Sequence, residues 1–300
     1  MSSAPLSVKP DQPVTAALRM GGAVLAFSLM AVAARQVSHR HDSFEILTYR
    51  SGIGLGLVLI YARATGQTAS ITTDRLSGHF LRNIVHFVGQ NLWFTALTMI
   101  PLAQLFALEF TAPIWVILLA PLFLGEALTR PRLWSAALGF AGIMIVARPN
   151  LTVLDAGVLA AAGAAVCFAA VSILTKRLTT GQSVTAILFW LTLMQLGFGL
   201  ITALWDGQMR LPDAQTLPWL VVIGGCGVVA HLSLTSALSL APASFVAPID
   251  FIRLPLIAVV GAVFYQEPLD PYVLGGAAVI FAGIWLNIRS EIRHRALKPL

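Results

Sequence analysis

Apolar residues run through this chain in long blocks, without the alternation of a strand or the narrow stripe of a surface helix. Ten such blocks lie near residues 16–34, 44–62, 80–98, 101–124, 132–147, 156–175, 183–205, 216–238, 242–265 and 271–288. Most reach the roughly 17–25 residues that a membrane-crossing helix needs, and Arg or Lys snorkelling at the ends completes the shorter ones. Residues 83–125 hold a single charge, Glu109. Pro101 divides that stretch into two spans, because a helix tends to stop before proline. The pattern predicts an all-α polytopic membrane protein with ten transmembrane helices, behind a disordered, proline-containing tail over 1–13. The first block ends in AVAARQVS, which superficially resembles a signal-peptide cleavage site, but its length and the nine blocks behind it favour retention.

The blocks repeat. Shifted by 141 residues, positions 96–143 align with 237–284 without a gap and with fourteen identities, against about five expected from composition alone. Pro101 meets Pro242, Phe110 meets Phe251, Glu126 meets Glu267, and FAGI at 140–143 meets FAGI at 281–284. The same offset carries Phe27 onto Phe168 and Arg35 onto Lys176. The chain therefore divides into two five-helix repeats, 14–150 and 151–290, with 291–300 left as a C-terminal tail. An odd number of spans inverts the second copy, and inverted repeats with a midplane site at their interface are a recurring transporter architecture.

Composition agrees: 57% of residues are hydrophobic and 11% charged, against roughly 25% charged in soluble domains. The net charge of +6 is distributed by side. Thirteen Lys/Arg fall on the side shared by both termini, Arg19 and Arg82 among them at span entrances, and four (Arg35, Arg40, Arg148, Arg210) on the other. This bias puts both termini in the cytoplasm of a bacterial inner-membrane protein. No basic cluster with interleaved aromatics points to nucleic acid. Cys167 and Cys226 sit in apolar runs and form neither a disulfide framework nor a metal-ligand spacing, and nothing calls for a cofactor. The expected partners are the bilayer and a small solute, with a monomer as the working unit.

The repeat singles out the candidate chemistry. Glu109 maps onto Asp250, each followed by Phe and each eight residues past a proline, so each lies about 12 Å below its own surface, near the midplane. Arg253, three residues beyond Asp250, shares its helix face and can neutralise it. Arg50 reaches a depth similar to that of Glu109. His79, Asn83, His86 and Gln90 form one polar helix face that Trp93 continues; His231 matches Gln90 by the offset. Such groups either fix packing as buried pairs or line a solute path, and intramembrane ionisable residues favour the second. Tyr49, Trp190 and Gln195 are weaker candidates for the walls of a zwitterion site. Glu126 and Glu267 end spans, as gate residues or as structural anchors. Pro113, Pro121, Pro248 and Pro255 remove backbone donors in the two acid-bearing spans and predict kinks. HRHD at 39–42 reads as a solvated loop cluster, and the glycines of SGIGLGLVLIY as close-packing positions.

The paired segments PIWVILLAPLFLGEALTRPRLWSAALGFAGIMIV and PLIAVVGAVFYQEPLDPYVLGGAAVIFAGIWL resemble the two signature halves of the drug/metabolite transporter superfamily, in its ten-span bacterial exporter branch (EamA-like). Within that branch the chain looks most like the aromatic amino-acid exporters. The resemblance implies alternating access and efflux of small organic solutes such as amino acids or drugs. Gln266 departs from the pattern by standing where the first copy has Gly125. Small multidrug relatives use a first-span carboxylate for proton coupling, and residues 20–34 contain no acid. The rival class is a polytopic membrane enzyme with Glu109, Asp250 and His86 as acid–base groups, but no H-E-x-x-H or nucleophile motif supports it.

Overall fold

The computed structural model describes residues 12–100, 102–147, 155–205, 209–265 and 271–296. Among them the secondary structure is helical: α1 (Pro13–Val37), α2 (Ser43–Ala64), α3 (Leu76–Met99), α4 (Leu102–Glu109), α5 (Ala112–Leu124), α6 (Arg130–Ala147), α7 (Ala156–Leu178), α8 (Val184–Ala203), α9 (Leu217–Leu240), α10 (Ala243–Val246), α11 (Arg253–Tyr265) and α12 (Pro271–Ala296). A 3-10 segment, Ala247–Ile252, joins α10 to α11. The starts follow local chemistry. Asp42 accepts from the Glu45 amide and Glu45 reaches back to the Asp42 amide, a capping box for α2. Asp155 and Ser183 cap α7 and α8 in the same single-sided way. Gly125, at φ 65°, takes the left-handed position that ends α5.

Among the described residues eight segments are long and apolar enough to cross a bilayer: α1, α2, α7, α8, α9, the broken pairs α4/α5 and α10/α11, and α12. The distribution of polarity is inverted relative to a soluble protein. Arg82, His79, Asn83, Gln195 and Thr175 are buried, whereas Leu18, Leu25, Leu122, Phe123 and Trp134 face outward. A surface of that kind needs lipid against it, so this is an integral membrane protein.

The long helices pair as α1 with α9, α3 with α7, α2 with α8 and α6 with α12. The Gln12 amide donates to Leu240 O at 2.8 Å, which fixes α1 antiparallel to α9. The 141-residue offset carries the α1–α9 pair onto α7–α3, and the other two pairs onto themselves. Breaks occur at Pro113 and between Pro248 and Pro255, whereas Pro121 lies inside the continuous helix α5. Pro113 cannot donate to the carbonyl of Glu109, and the helix stops there; after the turn at Phe110–Thr111 it resumes as α5. The Thr111 hydroxyl donates instead to Leu108 O at 2.6 Å. Pro248 and Pro255 flank the equivalent interruption, and Arg253, the first residue of α11, is the offset partner of Ala112, the first of α5.

Three boundaries differ from expectation. Pro13 is helical, and α12 runs to Ala296, past the expected span end at 288 and into the segment read as a tail, because the mostly polar residues 289–296 continue the helix beyond its apolar part. Arg82 is not a span-entrance cation: it is 1% exposed, inside the protein. The remainder of the N-terminal tail, Pro101, Arg148, Gln266, Glu267 and residues 297–300 lie outside the described residues.

The α6–α12 contact depends on absent side chains. A Cβ on Gly142 would sit 2.7 Å from the Gly276 carbonyl oxygen and 2.6 Å from Ile280 Cγ1, while one on Gly56 in α2 would meet nothing within 4 Å. Gly142→Ala is expected to destabilise the protein by about 1–3 kcal/mol through overpacking. Gly56→Ala is expected to be neutral or stabilising by up to about 1 kcal/mol. Thermal unfolding of the detergent-solubilised variants measures both.

Candidate functional site

The two helix breaks bring their acids to one guanidinium. Arg253 Nη2 donates to Glu109 Oε1 at 2.8 Å and to Asp250 Oδ2 at 3.0 Å. Trp93 Nε1, from α3, donates to the other Glu109 oxygen at 2.7 Å. The guanidinium also lies over the rings of Phe110, 4.9 Å from its centroid, and Phe27, at 5.6 Å. Cation–π contact supplies the electron-rich faces that a buried guanidinium lacks in lipid. Asp250 Oδ1 is buried with no hydrogen-bond partner among the described residues. Two carboxylates and one guanidinium leave this half of the centre with a formal charge of −1.

The second half is cationic. Gln90, with its amide oxygen turned toward Arg50, accepts from Arg50 Nη2 at 2.9 Å and Nη1 at 3.3 Å, and its nitrogen donates to Gln195 Oε1 at 3.0 Å. Gln195 Nε2 donates to Asn83 O at 2.9 Å. Arg82 donates from Nε to the Thr175 hydroxyl and from Nη1 to Asn83 Oδ1, both at 3.1 Å. Among the described residues neither Arg50 nor Arg82 has a carboxylate partner. Arg50 borders a narrow cavity lined also by Thr192, Gln195, Gly224, Gly227 and His231.

An aromatic row connects the halves. The Phe27 and His231 rings meet edge-on at 5.5 Å, and His231 and His86 at 5.4 Å. Nδ1 of each histidine is buried without a partner among the described residues. His86, Gln90, Trp93, Arg50, His231, Glu109, Asp250 and Arg253 are therefore contiguous through these contacts.

The sequence reading needs correction at several points. Glu109 pairs with Arg253 and not with Arg50, although Arg50 has the right depth; Arg50 is engaged by the Gln90 amide. Tyr49 stands apart from the cluster, its hydroxyl donating to Arg210 O in the loop before α9. Trp190 is likewise committed, to Thr72 O at 2.9 Å. His41 of the HRHD cluster is 4% exposed and bonds Glu45 and Thr216, so it anchors α2 to the start of α9. Nearby, hydrogen bonds from the Thr216 amide and hydroxyl hold the Asp213 carboxyl down to about 2. Arg82 escaped notice because position alone placed it at a span end. Its spacing from His86, one helical turn, is the signal that puts it on the buried stripe.

Glu126 has an anchoring contact: its carboxylate accepts from the amides of Ala243 and Ser244, at 2.7 and 3.0 Å, tying the end of α5 to the start of α10. Arg132 donates to the Ser244 hydroxyl and pairs with Glu291 of α12. Lys176 closes the end of α9 by donating to Leu238 O and Ala241 O.

The profile of the EamA-like transporter family matches residues 15–148 and again 155–289. The chain belongs to the EamA-like transporter family. Among its relatives, a riboflavin transporter of Rhizobium johnstonii is 30% identical over 100% of this chain and 99% of its own length. A riboflavin transporter of Vibrio cholerae is 32% identical over 92% and 94%, and an S-adenosylmethionine uptake transporter of Rickettsia conorii 28% identical over 87% of both. A solved crystal structure, 17% identical, superposes with a TM-score of 0.79 over 95% of this chain and 99% of that one. The fold is shared with that structure. Family and relatives together assign the chain to membrane transport of small metabolites and point away from catalysis.

The ion triad makes Arg253 harder to replace than either acid. Arg253→Gln leaves two facing carboxylates without a cation and is expected to destabilise by about 3–5 kcal/mol. Glu109→Gln leaves a neutral Asp250–Arg253 pair and an amide oxygen for Trp93, and is expected to lose less than half as much. Unfolding midpoints in detergent measure the difference.

Proposed function

We propose that this protein is a secondary carrier that moves an uncharged heterocyclic metabolite, riboflavin, across the bacterial inner membrane by alternating access. The observation that carries this reading is the cavity that Arg50 lines, with Arg82 behind it through Asn83 and Gln195, two guanidiniums whose described partners are all neutral. A positive wall favours carbonyl oxygens and disfavours a sulfonium such as S-adenosylmethionine. Amides and aromatic rings beside it suit a flat heterocycle with a polar edge. The names of two relatives, 30% and 32% identical, support the same solute.

Amino-acid export, expected from the resemblance to aromatic amino-acid exporters, has weaker support. A zwitterion needs a carboxylate for its ammonium, and both Glu109 and Asp250 are already held by Arg253. The reported relatives also carry riboflavin and S-adenosylmethionine names, the latter with uptake.

In this reading α3 and α6 complete ten spans. α3, at 24 residues, is about 36 Å long and lacks only apolarity, because one of its faces is the polar stripe. Two inverted five-helix repeats are supported by the double family match, the shared offset of both helix breaks and the exchange of helix pairs under it. Both termini lie in the cytoplasm by the excess of basic residues on their side. Glu109, Asp250 and Arg253 tie the broken spans together at the midplane, while Arg50, His86, Gln90, Trp93 and His231 border the solute path and Glu126 anchors one end of it.

Purified protein in liposomes is expected to accumulate labelled riboflavin, chemically unchanged, in a saturable manner, with Arg50→Gln lowering uptake at least about tenfold. Excess S-adenosylmethionine or phenylalanine is expected not to compete. Accumulation of either of those solutes without riboflavin would overturn the reading.

A further inference from the structure

The geometry points to Arg50 and His231 as a recognition pair for an imide-type edge, in which a carbonyl oxygen stands beside an N–H. This inference rests on the riboflavin reading above, and it names the part of the solute that enters first contact with the cationic half. Arg50 and His231 line the same cavity. They are held close by backbone: a Cβ on Gly227, one turn before His231 in α9, would stand 3.4 Å from both Cγ and Cδ of Arg50.

The chemistry of the two groups is complementary to such an edge. Arg50 carries five donors in a planar fork, and Gln90 accepts from only two of its nitrogens, Nη1 and Nη2, leaving Nε–H and the second hydrogens of both. His231 is 7% exposed, and its buried Nδ1 has no partner. A neutral imidazole offers one donor and one acceptor. A buried polar nitrogen left unpaired in the empty protein is costly unless a ligand or water completes it. Arg50 donates to the carbonyl, and the acceptor nitrogen of His231 takes the adjacent N–H. The pyrimidine-dione edge of a flavin carries that sequence of carbonyl, N–H and carbonyl. Phe27, edge-on to His231, and Gln90, on Arg50, hold the two readers in orientation. Arg82, behind Asn83 and Gln195, adds a second positive charge that excludes a cationic substitute at the same edge.

The test uses the full chain in liposomes with labelled riboflavin and three unlabelled competitors. Lumichrome keeps the imide and lacks the ribityl chain, 3-methylriboflavin replaces the imide N–H by a methyl group, and S-adenosylmethionine is cationic. Lumichrome is expected to compete, and 3-methylriboflavin to compete at least about tenfold less well than riboflavin. His231→Phe keeps the ring contacts to Phe27 and His86 and removes the acceptor, so this variant is expected to treat riboflavin and 3-methylriboflavin alike. Riboflavin uptake with equal competition by the methylated compound in the native protein would overturn the imide assignment while leaving the carrier reading intact. Discrimination that survives His231→Phe would overturn the role of His231. Absence of riboflavin uptake alongside uptake of S-adenosylmethionine would overturn the carrier reading and this inference together.

Discussion

Burying a carboxylate at the centre of a bilayer costs several kcal/mol unless a cation meets it, and here a single guanidinium meets two. Arg253 sits at the start of α11, immediately after a 3-10 stretch, and Glu109 at the end of α4, immediately before a turn. Both positions exist only because proline has interrupted the helix. An unbroken helix would satisfy its own carbonyls and hold its side chains on a fixed rotation. The interruptions free the backbone to bring Glu109 and Asp250 each within 3.0 Å of Arg253. Phe27, Phe110 and Trp93 then close the charges off with ring faces and an indole donor. The pairing of broken spans, the position of α3 against them and the line of aromatic rings toward α9 all follow from that contact.

The other half of the centre obeys a different rule. Arg50 and Arg82 are enclosed by amides and a hydroxyl, which satisfy donors without cancelling charge. A structural ion pair would have brought an acid. Retaining unneutralised cations inside the membrane makes sense where a solute supplies the missing acceptors, and the family to which the chain belongs carries small metabolites. In the proposed carrier the division of labour is mechanical on one side and recognitive on the other, with the Phe27–His231–His86 row as the contact between them.

Much of this was legible in the chain. Blocks of apolar residues gave the helices, and the 141-residue self-match located both acids, both breaks and the family signature. The Asp250–Arg253 pair followed from i,i+3 spacing alone. What the sequence could not resolve was the choice of partner across helices. Arg50 and Arg253 have similar depths relative to Glu109, and depth cannot distinguish them. Only the break before α11 rotates Arg253 toward Glu109, while Gln90 occupies Arg50. Arg82 and His41 were misjudged for a related reason: a polar residue near a span end reads as solvated, and burial there is decided by what packs over it, α7 for Arg82 and the start of α9 for His41. Tyr49 was assigned by type, and its hydroxyl was needed elsewhere, on the loop carbonyl of Arg210.

The central claim is that one guanidinium couples the two broken spans, and a double-mutant cycle on Glu109 and Arg253 tests it most directly. Unfolding free energies of the native protein, Glu109→Gln, Arg253→Gln and the double variant would be compared in the same detergent. The account predicts that removing Arg253 costs less when Glu109 is already neutral, with a coupling energy of at least about 1 kcal/mol. Additive effects, within about 0.5 kcal/mol, would mean that the two side chains do not share an ion pair and would contradict the account.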